Sequence, residues 1–287
     1  MKIGIGIPNQ VPNLDPTVIP PWARRAEQAG FSTLGTVGRI AYPGVQDTVA
    51  LAAAAGATST IGLFTNVLLG PTWPPVLLAK ELAGIDGVSG GRFTLGIGLG
   101  GRPDDFTVEG RGPKGKIMDA DLKVYRDVWA GGHIKGALTE GGRNAGVPAG
   151  TRQIPILFGG VVPAAFARMA KQGEGYIGTS LPVTTVSKLF DSARDAWTAA
   201  GRKGAPRLVA ITYFALGDGE KGRANVYDYY STAGEDFAKL VAGYVSVSAD
   251  DVRDRVKAFE SIGADEIIFN SATDNLDDIE RLAEIVL

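Results

Sequence analysis

Eight short β-like runs alternate with helix-like stretches along the whole chain, and this order limits the possible folds more than any other property. The runs cover residues 2–7, 33–37, 61–68, 93–99, 154–158, 175–178, 207–215 and 265–269. Helical patterns cover residues 17–29, 45–57, 75–88, 116–129, 163–172, 184–200, 236–245, 249–262 and 276–286. Strand–helix alternation predicts parallel βαβ units, and eight of them predict a (β/α)8 TIM barrel of the α/β class rather than an open sheet. The 287 residues suit one barrel domain spanning 1–287, because no linker or change in composition divides them.

Local signals agree with that order. The stretch 17–29 stops at Gly30, a suitable left-handed helix end. Leu78, Leu82, Ile85 and Val88 recur at helical spacing behind Pro74 and Pro75, which fit a first turn. In residues 89–101 (SGGRFTLGIGLGG), Phe93, Leu95, Ile97 and Leu99 share one strand face and Thr94, Gly96 and Gly98 the other. Gly4 and Gly6 repeat this small/large alternation, which suits either close packing against helices or room inside the barrel mouth. Two Gly-rich connections, 100–115 and 131–153, are long. The first follows a strand, where barrel active sites are built, and is predicted to be a lid; the second is an excursion with no assigned role.

Composition excludes several chemistries. There is no cysteine and one histidine, His133, so thiolate chemistry and a multi-histidine metal site are ruled out and no metal is expected. A net charge of −2 gives no footprint for nucleic acid, and no apolar run is long enough for a membrane span. The chain enters a strand at Lys2 without a signal-peptide pattern, so a cytoplasmic location is expected. His133 is read as a helix-end residue favoured by the dipole, and Asp104-Asp105 and Asp250-Asp251 as loop or helix-start carboxylates.

Two glycine motifs resemble nucleotide loops. Gly96-x-Gly98-x-x-Gly101 matches the dinucleotide fingerprint, but residues 102–106 read as a loop where that motif needs a helix. A nicotinamide dehydrogenase is therefore the least favoured reading. Residues 110–116 (GRGPKGK) nearly match a phosphate loop, but Ile117 stands where Ser or Thr would ligand Mg²⁺. Trp22, Trp129 and Trp197 fall on helical patterns and are expected in the core or at an interface. Trp73 follows the third strand and is expected to line a substrate pocket.

Residues 61–106 (IGLFTNVLLGPTWPPVLLAKELAGIDGVSGGRFTLGIGLGGRPDDF) resemble the bacterial luciferase-like superfamily of flavin (FMN) or coenzyme F420-dependent oxidoreductases. AEQAGF at 26–31, IPILFGG at 154–160 and GADEI at 263–267 extend the resemblance over nearly the whole chain. It implies a (β/α)8 barrel with FMN or F420 at the C-terminal mouth, with a slight leaning to F420. It also implies a non-prolyl cis peptide in Thr65-Asn66-Val67, at Asn66–Val67 or a neighbour, against the ring. Leu99 and Gly100 would face the cofactor, and Gly159, Gly160, Gly178, Thr179 and Ser180 would hold the ribityl chain and phosphate, where backbone amides suit an anion.

The chain departs from the family pattern at two places. Gly38-Arg39-Ile40 replaces the acid–histidine pair of the F420-dependent alcohol and sugar dehydrogenases, and Thr72-Trp73-Pro74 replaces the common Arg-His-Pro. The implied activity is that of an oxidoreductase using a reduced flavin-type cofactor on a small organic substrate, by monooxygenation with O₂ or by F420-linked hydride transfer, its chemistry carried by the ring. Asn9, Arg39, Asp104 and Glu109 are the expected polar groups at the mouth, Asn9 lining the substrate pocket. Arg39 would stabilise an anion, and Asp104 or Glu109 would donate a proton. A homodimer is an expected partner state, as is a flavin reductase if FMN is used. A non-catalytic flavin-binding homologue is the alternative, since the histidine base is missing.

Overall fold

The structure is a computed structural model that describes residues 1–110, 115–131 and 146–287. Nine strand segments run in parallel: β1 (Lys2–Gly6), β2 (Thr33–Thr36), β3 (Gly62–Thr65), β4 (Leu68–Leu69), β5 (Phe93–Gly98), β6 (Ile156–Gly159), β7 (Gly175–Ile177), β8 (Arg207–Phe214) and β9 (Glu266–Ser271). Their order is β3-β2-β1-β9-β8-β7-β6-β5-β4, and a further pairing of β3 with β5 closes the sheet. β3 and β4 are two pieces of the predicted strand 61–68, separated at a cis peptide between Asn66 and Val67. The barrel therefore has the eight staves expected from the sequence.

Helices fill the connections: α1 (Ile19–Ala29), α2 (Asp47–Ala57), α3 (Pro75–Val88), α4 (Pro103–Thr107), α5 (Gly115–Trp129), α6 (Pro163–Gln172), α7 (Val183–Ala199), α8 (Gly219–Tyr230), α9 (Glu235–Gly243), α10 (Ala249–Ser261) and α11 (Asp277–Val286). α1 buries Ile19, Trp22, Ala23 and Ala26 as a stripe and ends at Gly30, whose φ of 96° only glycine adopts freely. The turn of residues 89–92 is held by Arg92, which donates to the carbonyls of Ser89, Ile61, Ala55 and Thr58. That one side chain joins the end of α2 to the starts of β3 and β5, at the end of the barrel opposite the mouth.

Strand alternation sorts the core into two layers. Ile3, Ile5, Leu34, Phe93, Leu95, Ile97, Phe158 and Phe269 point outward into one large cluster with the helices, which includes Trp22, Trp129 and Trp197. Phe64, Leu157, Ile177, Val209 and Ile268 fill the barrel interior. Each such buried side chain contributes roughly 1.5–3 kcal/mol. Gly4 and Gly6 face this interior: a Cβ on Gly4 would lie 3.1 Å from Ile268 Cγ1, and one on Gly6 2.6 Å from Asn270 Cα. Their small size thus serves interior packing, not helix packing.

Two local expectations need correction. Residues 102–106 were expected as a loop, but Pro103 opens a short helix, with Asp104 and Asp105 in its first turn. Helix α8 has no counterpart in the predicted pattern, because Gly219 and Gly222 lower its propensity. It forms through the Asp218 side chain, which accepts the Lys221 amide, and through burial of Gly222, Val226 and Tyr229. A Cβ on Gly222 would lie 2.2 Å from Ala215 Cβ, so close packing on β8 requires glycine there. His133, residues 111–114 of the phosphate-loop-like stretch and most of the 131–153 connection lie outside the described residues.

Candidate active site

The C-terminal ends of the staves surround a cleft of about 510 Å³. Asn66, Val67 and Leu69 come from the third stave, Gly98 to Arg102 from the end of β5, Phe158 to Val162 from β6, and Ile177 to Thr179 from β7; Tyr229 and Tyr230 of α8 complete the wall. A larger groove, about 850 Å³, lies outside the barrel between α6 and α7, lined by residues such as Ala167, Ala170, Ala196 and Ala199. It meets no strand end apart from the rim residue Val161, so the mouth cleft is the candidate site.

The wall is largely backbone and apolar. Val67 nests against two glycines: a Cβ on Gly98 would lie 2.9 Å from its Cγ2, and one on Gly159 3.0 Å from its Cγ1. Asn66 Nδ2 donates to Asn270 Oδ1 at 3.1 Å, while Asn66 Oδ1 is buried without a partner. Ser180 Oγ, beside the cleft residue Thr179, is likewise buried and unpartnered. Unsatisfied buried polar atoms are costly, so both mark positions where a bound group would complete the hydrogen bonding.

The lining includes two arginines and no carboxylate or histidine among the described residues. Arg168 reaches from α6 and is anchored by Asp119, Nε to Oδ1 at 2.6 Å. That hydrogen bond holds the Asp119 carboxyl below its usual range. Arg102 stacks 4.7 Å from the Tyr229 ring centroid and 4.8 Å from that of Tyr230. Tyr213 Oη lies 3.3 Å from Tyr230 Oη, and Tyr229 Oη donates to Gly38 O at 3.4 Å. Burial pushes the Tyr213 and Tyr229 phenols well above their ordinary range, so both stay neutral donors at physiological pH.

The expected cofactor residues Asn66, Val67, Leu99, Gly100, Gly159, Gly160, Gly178 and Thr179 all line this one cleft. Thr65 lies just beneath it: its hydroxyl donates to Gly96 O at 2.7 Å and accepts the Gly96 amide at 2.9 Å, pinning the third stave to β5.

The polar groups expected at the mouth are placed differently. Asn9 is buried behind the β2 exit, where Nδ2 donates to the carbonyls of Val37 and Val45 and Oδ1 accepts the Val37 amide. Arg39 is buried and makes ion pairs at 2.7 Å with both Asp104 and Asp105, while Nη1 donates to Tyr229 O. Asp105 Oδ1 also accepts the amides of Ile40 and Ala41. Arg39 and Asp104 thus satisfy one another in a clamp joining the β2 exit loop, α4 and α8, and neither belongs to the cleft lining. Glu109 is exposed beyond α4. Trp73 packs against the large apolar cluster, outside the lining. The expected substrate-pocket and proton-donor residues are therefore not the groups that face the cleft.

Sequence reasoning missed Arg102, Arg168, Tyr229 and Tyr230. The tyrosines had a signal, since Gly222, Val226 and Tyr229 keep helical spacing behind the Asp218 cap. Arg168 also had one, as the lone cation among Ala165, Phe166, Met169 and Ala170 on the buried face of α6.

Comparison with known proteins agrees with this geometry. A sequence model of the family described as luciferase-like monooxygenase matches residues 1–244. An uncharacterised protein of Mycobacterium tuberculosis (strain ATCC 25618 / H37Rv) is 31% identical over 169 residues, which cover 57% of this chain and 60% of that protein. The chain thus spans about 60% of the length of the curated relatives it matches. Among solved structures, the monooxygenase RslO1 from Streptomyces bottropensis superposes with a TM-score of 0.76 at 24% identity, covering 99% of this chain and 97% of that one. An F420-dependent secondary alcohol dehydrogenase, in complex with an F420–acetone adduct, gives 0.75 at 16% identity, covering 100% and 98%. The oxygenating constituent of 3,6-diketocamphane monooxygenase from Pseudomonas putida, in complex with FMN, gives 0.73 at 16% identity, covering 99% and 96%. At these identities the structural likeness speaks for the fold, while the family match covers most of the sequence. The chain belongs to the luciferase-like monooxygenase family.

Proposed function

We propose that the chain is an oxidoreductase that holds a reduced flavin-type coenzyme, F420 or FMN, in the mouth cleft and acts on a small organic substrate. One observation carries this reading: the cleft is lined by glycine backbone, apolar side chains, tyrosines and two arginines, with no carboxylate or histidine among the described residues. Such a wall binds and orients but offers no side chain suited to abstract a proton near neutral pH. The reactive centre then has to be a bound group, and a flavin-type ring supplies hydride transfer or, when reduced, reaction with O₂.

The residues present fit that group. Asn66 Oδ1 is an acceptor without a donor, open to a ring N–H. Gly98 and Gly159 keep space on either side of Val67 for a planar ring. Gly160, Gly178, Thr179 and the Ser180 hydroxyl, with Arg168 beside them, would hold an anionic phosphate. Tyr229 and Tyr230 would exclude water from the ring, and Tyr229, kept neutral by burial, would offer a phenol proton on the substrate side.

The test is a titration of the purified protein with FMN, F420 and NADPH, followed by absorbance and fluorescence, then reduction and exposure to O₂ with a substrate panel. Binding of FMN or F420 but not NADPH is expected, with Gly159→Val abolishing it. Binding without turnover across the panel would favour a non-catalytic flavin-binding protein. If neither coenzyme bound, the proposal would fail.

A further inference from the structure

Beside the mouth cleft, and sharing Gly38, Leu69, Gly100, Gly101 and Arg102 with it, lies a side chamber of about 240 Å³. Its far wall is Ala233 and Phe237, at the start of α9 and the turn before it. The volume equals that of about eight water molecules, enough for a compact organic molecule of roughly eight to ten heavy atoms. Gly159, Gly160, Gly178, Thr179 and Arg168 do not line it, so it is separate from the end of the cleft suited to phosphate.

The charges around the chamber are unbalanced. Asp105, its one acid among the described residues, already serves Arg39 through Oδ2 and the amides of Ile40 and Ala41 through Oδ1. Arg39 in turn is matched by Asp104 and Asp105. Arg168 has Asp119. Arg102 is the lining cation with no carboxylate within 4.0 Å among the described residues; the rings of Tyr229 and Tyr230 support it, and it hydrogen-bonds the Tyr229 side chain. Those rings hold the guanidinium in place, and the Tyr229 bond uses only part of its five-donor fork. A fixed, half-buried fork of N–H donors matches a planar carboxylate in a bidentate pair, and the nearby walls of Leu69, Phe237, Ala233 and glycine backbone suit an apolar body.

We propose that Arg102 and this side chamber form the substrate-recognition subsite, and that the substrate is a small carboxylate with a compact apolar or aromatic body. The subsite rests on the flavin-type reading of the cleft, because it places the bound acid beside the ring position. Its own chemistry, an unmatched guanidinium over an apolar chamber, does not depend on which coenzyme binds.

The experiment is calorimetric titration of the whole protein with benzoate and its neutral match, benzamide, alongside separate titrations with FMN and F420. Benzoate is expected to bind at least tenfold more tightly than benzamide. Arg102→Gln should remove that preference while leaving benzamide affinity within twofold. Arg102→Lys, which keeps the charge but loses the fork, should retain only part of the preference, and it guards against a Gln variant that does not fold. Equal binding of the two probes would overturn the proposal, as would an Arg102→Gln variant that loses coenzyme and not benzoate. Retained benzoate preference in a protein that binds neither coenzyme would sink the flavin-type reading and leave the carboxylate subsite standing.

Discussion

The clamp around Arg39 gives a quantitative test of why residues expected to act on substrate are buried instead. The Arg39 side chain is 3% exposed and that of Asp105 1%, with Nε and Oδ2 2.7 Å apart. Asp105→Ala removes this partner and leaves the Ile40 and Ala41 amides, bonded at 2.8 and 2.9 Å, without their acceptor. Arg39 keeps Asp104 at 2.7 Å, so the loss falls at the lower end of the 3–5 kcal/mol typical of a broken buried pair, about 3 kcal/mol. Chemical denaturation of the wild type, Asp105→Ala, Arg39→Met and the double variant yields the coupling directly. We expect the double variant to cost at least about 1.5 kcal/mol less than the two singles together, within the usual range for coupled neighbours. A single-variant cost below about 1 kcal/mol, with additivity to within about 0.5 kcal/mol, would refute the clamp and return Arg39 to the candidates for direct contact with ligand.

Asp47 gives a pH test. Burial pushes its carboxyl up to about 7, and its own backbone amide offsets this only in part. The unfolded chain loses that proton near pH 4, so stability falls as pH rises from about 4 to 7, by up to roughly 4 kcal/mol; Asp47→Asn should remove the slope, and its advantage should grow over that window in paired unfolding curves. Gly222→Ala, whose Cβ would lie 2.2 Å from that of Ala215, should cost about 1–3 kcal/mol by thermal unfolding, whereas Gly56→Ala, with nothing within 4 Å, should not destabilise the protein. Ser180→Ala should weaken binding of FMN or F420 severalfold in fluorescence titration without lowering stability, because its hydroxyl has no partner in the protein to lose.

The sequence was most legible where period alone decides the outcome. Phe93, Leu95 and Ile97 alternate with Gly96 and Gly98, and this places the outer core and the cleft wall on opposite faces of one strand. The glycine-rich ends of β5 and β6 were legible as cleft-lining, the first because bare backbone leaves space there and the second through the family resemblance. The polar groups were harder. Arg39 lies far in sequence from Asp104 and Asp105, and mutual pairing removes them from the cleft, an outcome no local pattern encodes. Tyr229 and Tyr230 were lost with α8, whose two glycines speak against a helix until Ala215 is known to press on Gly222. Arg102 looked like a loop residue because its importance comes from two rings that lie more than a hundred positions later in the chain.

The same clamp also shapes the rim of the barrel. Arg39 ties the β2 exit loop, α4 and α8 together with buried charge, so displacing any one of these three pieces of the rim breaks a contact with Arg39. On the β6 side of the cleft, Val161 and Val162 stand 59% and 50% exposed ahead of α6. The rim is therefore built unevenly, one part fastened by ion pairs and another edged by an exposed apolar sill.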